Sequence, residues 1–77
     1  MFDKRIECFT NEEVIRVFRE LEDYRNTGVL GAETIARKII EEECNPDYTY
    51  SFIAVSLSFQ VEFYRMLATR HIKQKVL

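Results

Sequence analysis

The stretch that decides the fold covers residues 45–77 and reads NPDYTYSFIAVSLSFQVEFYRMLATRHIKQKVL. It contains no glycine, and its single proline stands near its start, so one long element can occupy it. A strand is one interpretation, because apolar residues, most of them β-branched or aromatic, alternate with other residues over eleven positions. The alternating residues are Ile53, Val55, Leu57, Phe59, Val61 and Phe63.

A helix is the other interpretation, and three features favour it. The start Asn45-Pro46-Asp47 is typical of a helix N-terminus, with a capping side chain followed by proline in the first turn. Several polar residues also fall within about 40° of one line on a helix. A lone strand would need a neighbour, which only residues 2–9 could supply. We therefore predict a helix over residues 46–74, with a strand over residues 53–63 as the alternative. The aligned polar residues are Ser51, Ser58, Glu62, Arg65 and Thr69.

A shorter helix is predicted upstream, over residues 11–26. Thr10 and Glu13 have the spacing of a capping box, in which each side chain accepts a hydrogen bond from the backbone N–H of the other residue. Apolar residues then recur at three- and four-residue intervals, and Gly28 is placed to end the helix in a left-handed conformation. The recurring residues are Val14, Val17, Phe18, Leu21 and Tyr24.

A second short helix is predicted over residues 32–44, because five apolar residues form one stripe there. Residues 1–9 precede both short helices and are expected to be a lead-in segment that packs its aromatic side chains on the core. The sequence thus predicts an all-α fold in a single helical domain, residues 1–77, with two short amphipathic helices and one long C-terminal helix. The stripe consists of Ala32, Ile35, Ala36, Ile39 and Ile40.

The predicted long helix carries more apolar surface than two short neighbours can cover. Its apolar arc spans roughly 220°. A helix of about 28 residues is also about 42 Å long, whereas a compact chain of this size is about 30 Å across. We therefore expect dimerisation to complete the helical bundle, most simply as a two-fold homodimer, or a different protein to cover the same surface. The candidate interface residues are Tyr48, Phe52, Phe59, Phe63, Met66 and Leu67.

Charge is distributed unevenly along the chain. Residues 1–47 contain twelve acids and seven bases, a net charge of −5, and residues 48–77 contain one acid and four bases, a net charge of +3. Glu41, Glu42 and Glu43 are a candidate acidic docking face for a basic partner. The candidate basic end consists of Arg70, Lys73 and Lys75 and offers the alternative function, a nucleic-acid-binding transcriptional regulator. Because the chain is acidic overall, we expect no nucleic-acid partner.

No pattern in the sequence indicates catalysis, a cofactor or a metal. His71 has no partner at a recognisable spacing, and Cys8 and Cys44 do not have the spacing of a zinc or redox motif. The most apolar stretch, residues 52–68, includes charged residues, so we expect no membrane span and a cytoplasmic location. The sequence therefore favours a non-enzymatic protein-interaction module that acts as a regulator, adaptor or inhibitor.

Overall fold

The computed structural model describes residues 2–44 and 49–76, and this part of the chain is all-α. The predicted fold class is therefore confirmed, and residues 53–63 are helical throughout. The predicted cap at residues 45–47 and the interface candidate Tyr48 lie outside the described residues. The described helices are α1 (Asp3–Glu7), α2 (Asn11–Thr27), α3 (Ile35–Glu43) and α4 (Thr49–Val76).

Helix α2 has the two ends that the sequence predicts. The Thr10 hydroxyl accepts a hydrogen bond from the Glu13 amide at 3.1 Å, and the Thr10 amide donates to the Glu13 carboxylate at 3.0 Å. Gly28 ends the helix with φ of 76°, a left-handed conformation that glycine adopts without a steric penalty. Both signals are local, so they fix the helix bounds independently of the packing.

Helix α3 begins three residues later than predicted, because Thr34 is the capping residue and Ala32 lies in the preceding turn. The Thr34 hydroxyl accepts a hydrogen bond from the Arg37 amide at 3.1 Å. A second cap comes from α2, where the Glu20 carboxylate accepts hydrogen bonds from the amides of Ile35 and Ala36, both at 3.0 Å. A carboxylate at a helix N-terminus is stabilised by the unpaired amides and by the helix dipole.

Helix α1 was expected only as a lead-in, but it forms a short helix that packs against α4. Phe2 and Ile6 are buried, and the Phe2 ring meets the Phe59 ring edge-on with centroids 5.3 Å apart. Phe9, just after α1, packs partly buried against the same core, as expected of its aromatic side chain. The buried core draws on every described helix and on the loop before α3. It comprises Phe2, Ile6, Val17, Leu21, Leu30, Ala36, Ile39, Ile40, Phe59 and Phe63.

The described chain is elongated along α4. Its principal extents are 46 × 24 × 17 Å and its radius of gyration is 13.0 Å, whereas a compact chain of 77 residues would have a radius of about 11.5 Å. Helix α4 is 28 residues long and spans the longest dimension. One side of α4 supports the other helices, and its opposite side faces solvent.

Candidate interaction surface on the long helix

An apolar stripe runs along the solvent side of α4. Its members are spaced by four, four, three, four and four residues, so they fall on one face of the helix, roughly opposite the residues that enter the core. Four of the six side chains are aliphatic residues that remain 58% to 61% exposed. We call this surface the outer stripe. It consists of Ile53, Leu57, Val61, Tyr64, Ala68 and Ile72.

A shallow groove of about 540 Å³ lies along the middle of the outer stripe. Gln60 and Arg65 stand at its edges, and the remaining lining is apolar. The groove has the character of a helix-packing surface, because it offers aliphatic side chains in a row and few groups that could orient a small ligand. The apolar lining residues are Leu57, Val61, Tyr64 and Ala68.

Helix α2 extends this surface on one side. The ring of Phe18 is 42% exposed and meets the Tyr64 ring edge-on, with centroids 6.5 Å apart. Partial burial raises the pKa of Tyr64, Glu22 raises it further, and Arg25 acts in the opposite direction. The contact with Phe18 places Tyr64 at the border between the outer stripe and α2. Because its pKa is raised, the phenol of Tyr64 is neutral at physiological pH.

The structure places the predicted interface residues mostly on the other side of α4. Phe59 and Phe63 are completely buried, so they form part of the core and not of the uncovered arc. Phe52, Met66 and Leu67 are partly buried and pack against the same core. The physical reason is that α1, expected only as part of a lead-in segment, forms a short helix beside which Phe2 covers Phe59.

The outer stripe itself was missed, although the sequence holds a signal for it. The polar residues aligned on one line of α4 lie between two apolar faces, and the predicted arc of roughly 220° merges these two faces into one. Thr69, Ser58 and Arg65 on that line are exposed as expected. Sequence periodicity locates the polar line, but it does not say which apolar neighbour meets the core.

The candidate acidic face is partly neutralised within the chain. Arg37 pairs with Glu41 at 2.7 Å, and Arg5 of α1 pairs with Glu42. Cys44 follows these residues, and burial together with the Glu41 charge raises the pKa of its thiol. Glu41 thus forms an ion pair within α3 and Glu42 forms one with α1, so two of the three glutamates also have partners within the chain.

Two members of the candidate basic end, Arg70 and Lys73, line one groove between α1 and α4 together with Glu7 and Glu62. The Arg70 guanidinium donates to the backbone carbonyl of Glu7 in α1 at 3.5 Å and is partly buried there. Lys73 and its neighbour His71 are exposed. The side chain of Lys75 lies outside the description. The Arg70 side chain therefore also stabilises the packing of α1 against α4.

Two kinds of site find no support in the described part of the chain. Its histidine, cysteine and acidic residues form no group of three that could hold a metal ion. Within the same residues, each helix is too short or too polar to cross a membrane. No family of known proteins, no curated protein and no solved structure matches this chain.

Proposed function

We propose that this chain is a non-catalytic protein-interaction module that works as a homodimer joined through the outer stripe of α4. The observation that carries the proposal is the exposure of Ile53, Leu57 and Val61 on a helix whose opposite face already supplies the core. More than half of each of these side chains is exposed in the single chain, so packing within the chain does not account for their apolar character, and a partner would.

The size of the stripe fits this role. A half-exposed aliphatic side chain leaves on the order of 100 Å² in water, so the stripe presents on the order of 500 Å² of apolar surface. With Phe18 and the flanking polar atoms, the area approaches the roughly 600 Å² per partner of a small specific interface. A contiguous apolar patch of this size is often functional, and it lies near the upper end of what single chains expose.

The shape of the stripe favours a helical partner, and a second copy supplies one. Residues spaced by three and four along a straight helix pack into the grooves of another helix with the same spacing. Helix α4 has this spacing in every copy, so a second copy can supply the partner helix. Closed two-fold symmetry is the commonest way for identical chains to cover a self-complementary surface.

Light scattering at about 100 μM tests the proposal with the substitution Val61→Asp. We expect the wild-type chain to have twice its 9.2 kDa mass, and Val61→Asp to have the mass of one chain with unchanged helical circular dichroism. In the dimer the introduced carboxylate would be buried with no opposite charge beside it, whereas in the monomer it would be solvated. The substitution should therefore weaken dimerisation and leave the folding of the single chain unchanged.

Ser58→Asp is the matched control, because Ser58 is exposed on the neighbouring polar line of α4. This variant should keep the wild-type mass. A wild-type chain that stays at 9.2 kDa, or a Val61→Asp chain that still dimerises, would contradict the proposal.

A further inference from the structure

The spacing of residues in the outer stripe is symmetric about its midpoint on α4. The spacing of its residues, four, four, three, four and four, is unchanged when the helix is reversed. A two-fold axis midway between Val61 and Tyr64 therefore brings stripe residues of two antiparallel copies to the same level. At 1.5 Å per residue, a shift of even two residues would lose this match.

We propose that the partner on the outer stripe is a second copy in the antiparallel direction, with the two-fold axis between Val61 and Tyr64; this inference rests on the proposed function. In this arrangement Val61 lies opposite the partner's Tyr64, and Leu57 lies opposite the partner's Ala68. A larger side chain thus meets a smaller one at these two central levels, and Ile53 lies opposite the partner's Ile72 at the outer level, which favours even packing between the two helices.

A parallel pair would pack less evenly. Each residue would then lie opposite its own equivalent, so two Tyr64 rings would meet at one level and two Ala68 methyl groups at the next. The rings would hold the helices apart where the small residues need close approach, leaving a gap beside Ala68. The order of side-chain sizes along the stripe therefore selects the antiparallel direction.

The distribution of charge also favours the antiparallel direction. The C-terminal part of α4 carries the exposed Lys73 as well as Arg70, which also contacts α1, whereas the helix before α4 ends in three consecutive glutamates, two of which also pair within the chain. An antiparallel pair places the basic end of each α4 near the acidic end of the other copy, and it also sets opposite ends of the two helix dipoles side by side. A parallel pair would bring the two basic ends together.

Disulfide capture distinguishes the two directions. In a background of Cys8→Ser and Cys44→Ala, we would introduce Leu57→Cys and Ala68→Cys in separate chains and oxidise each alone and as a mixture. The antiparallel pair predicts a disulfide only in the mixture. Within it, two Leu57 positions are about 17 Å apart along the helix, whereas a disulfide requires Cα atoms within about 7 Å.

The outcomes separate this inference from the proposed function. Disulfides between two Leu57→Cys chains, in a protein that light scattering shows to be dimeric, would overturn the antiparallel direction and leave the homodimer standing. A monomeric wild-type chain would overturn both. Circular dichroism of each variant establishes that it is folded before oxidation.

Salt dependence of the wild-type dimer provides a second test that needs no substitution. The antiparallel pair predicts that dimerisation weakens by about threefold between ~0.05 M and ~0.5 M NaCl, because salt screens the attraction between unlike ends. Dimerisation that strengthens with salt would indicate that ends of α4 with the same charge lie side by side, and it would overturn the inference.

Discussion

Helix α4 has two apolar faces, and they differ in what covers them. Phe59 and Phe63 on the core face are completely buried beneath the other helices, while Leu57 and Val61 on the outer stripe remain more than half exposed. Both faces would give the same signal in a hydropathy plot. The difference shows that an apolar face becomes a core only where neighbouring elements supply matching side chains.

The largest effect is expected for Phe59→Ala on the core face. The substitution removes a buried ring that contacts Phe2 at 5.3 Å and Phe63 at 6.2 Å between centroids. Loss of such a ring costs about 3–5 kcal/mol, which is comparable to the whole stability of a domain this small. Urea denaturation followed by circular dichroism should show a chain largely unfolded in water. A loss below about 1 kcal/mol would place Phe59 outside the core.

Phe2→Ala is expected to have the next largest effect, because it uncovers part of the core face and makes it resemble the outer stripe. We expect a loss of about 2–3 kcal/mol, less than for Phe59→Ala, since α1 can separate while the other helices stay packed. Urea denaturation measures the loss, and binding of a hydrophobic dye to the native chain should increase. Unchanged dye binding would contradict the covering role of α1.

Leu57→Ala on the outer stripe should barely change the stability of the single chain. At low micromolar concentration we expect a loss below about 1 kcal/mol, because most of this side chain is already in water. At about 100 μM the loss should grow, since association stabilises the folded state by mass action. Denaturation curves at the two concentrations test the difference, and equal losses would argue against a dimer through this residue.

The smallest effect concerns Tyr64, at the border of the outer stripe. Its pKa lies above the ordinary value of 10.0 because burial disfavours the phenolate. Because the pKa of Tyr64 is higher in the folded state than in the unfolded state, its contribution to the free energy of unfolding is complete below pH 10. This contribution is lost as pH rises through the folded-state pKa. Ultraviolet titration of the wild-type chain minus that of Tyr64→Phe should show this late ionisation. Dimerisation should delay it further, and an ordinary pKa at high concentration would count against burial of Tyr64.

The parts of this fold that sequence analysis predicts are those with local causes. The ends of α2 follow from the Thr10–Glu13 capping box and from Gly28, whose chemistry acts within a few residues. The helical state of α4 follows from its polar line and the absence of internal glycine or proline. In each case the signal and the structure lie in the same short segment.

The parts that were missed depend at least partly on contacts with residues outside their own segment. Helix α3 starts at Ile35 partly because Glu20 reaches its first amides from α2. The side of α4 that becomes the core depends on α1, through Phe2 and Ile6. For this reason the predicted interface selected Phe59 and Phe63, whereas the exposed apolar side chains lie at Leu57 and Val61.

The Glu20 carboxylate has a consequence for the order in which the chain folds. Its hydrogen bonds to Ile35 and Ala36 join positions only fifteen and sixteen residues apart, whereas the bond between the Phe2 amide and the Glu62 carboxylate closes a sequence separation of sixty. Short loops close at a lower entropy cost. We therefore expect α2 and α3 to pair early as a hairpin and α1 to dock last, so pulsed hydrogen exchange should protect the Ile35 amide before the Phe2 amide.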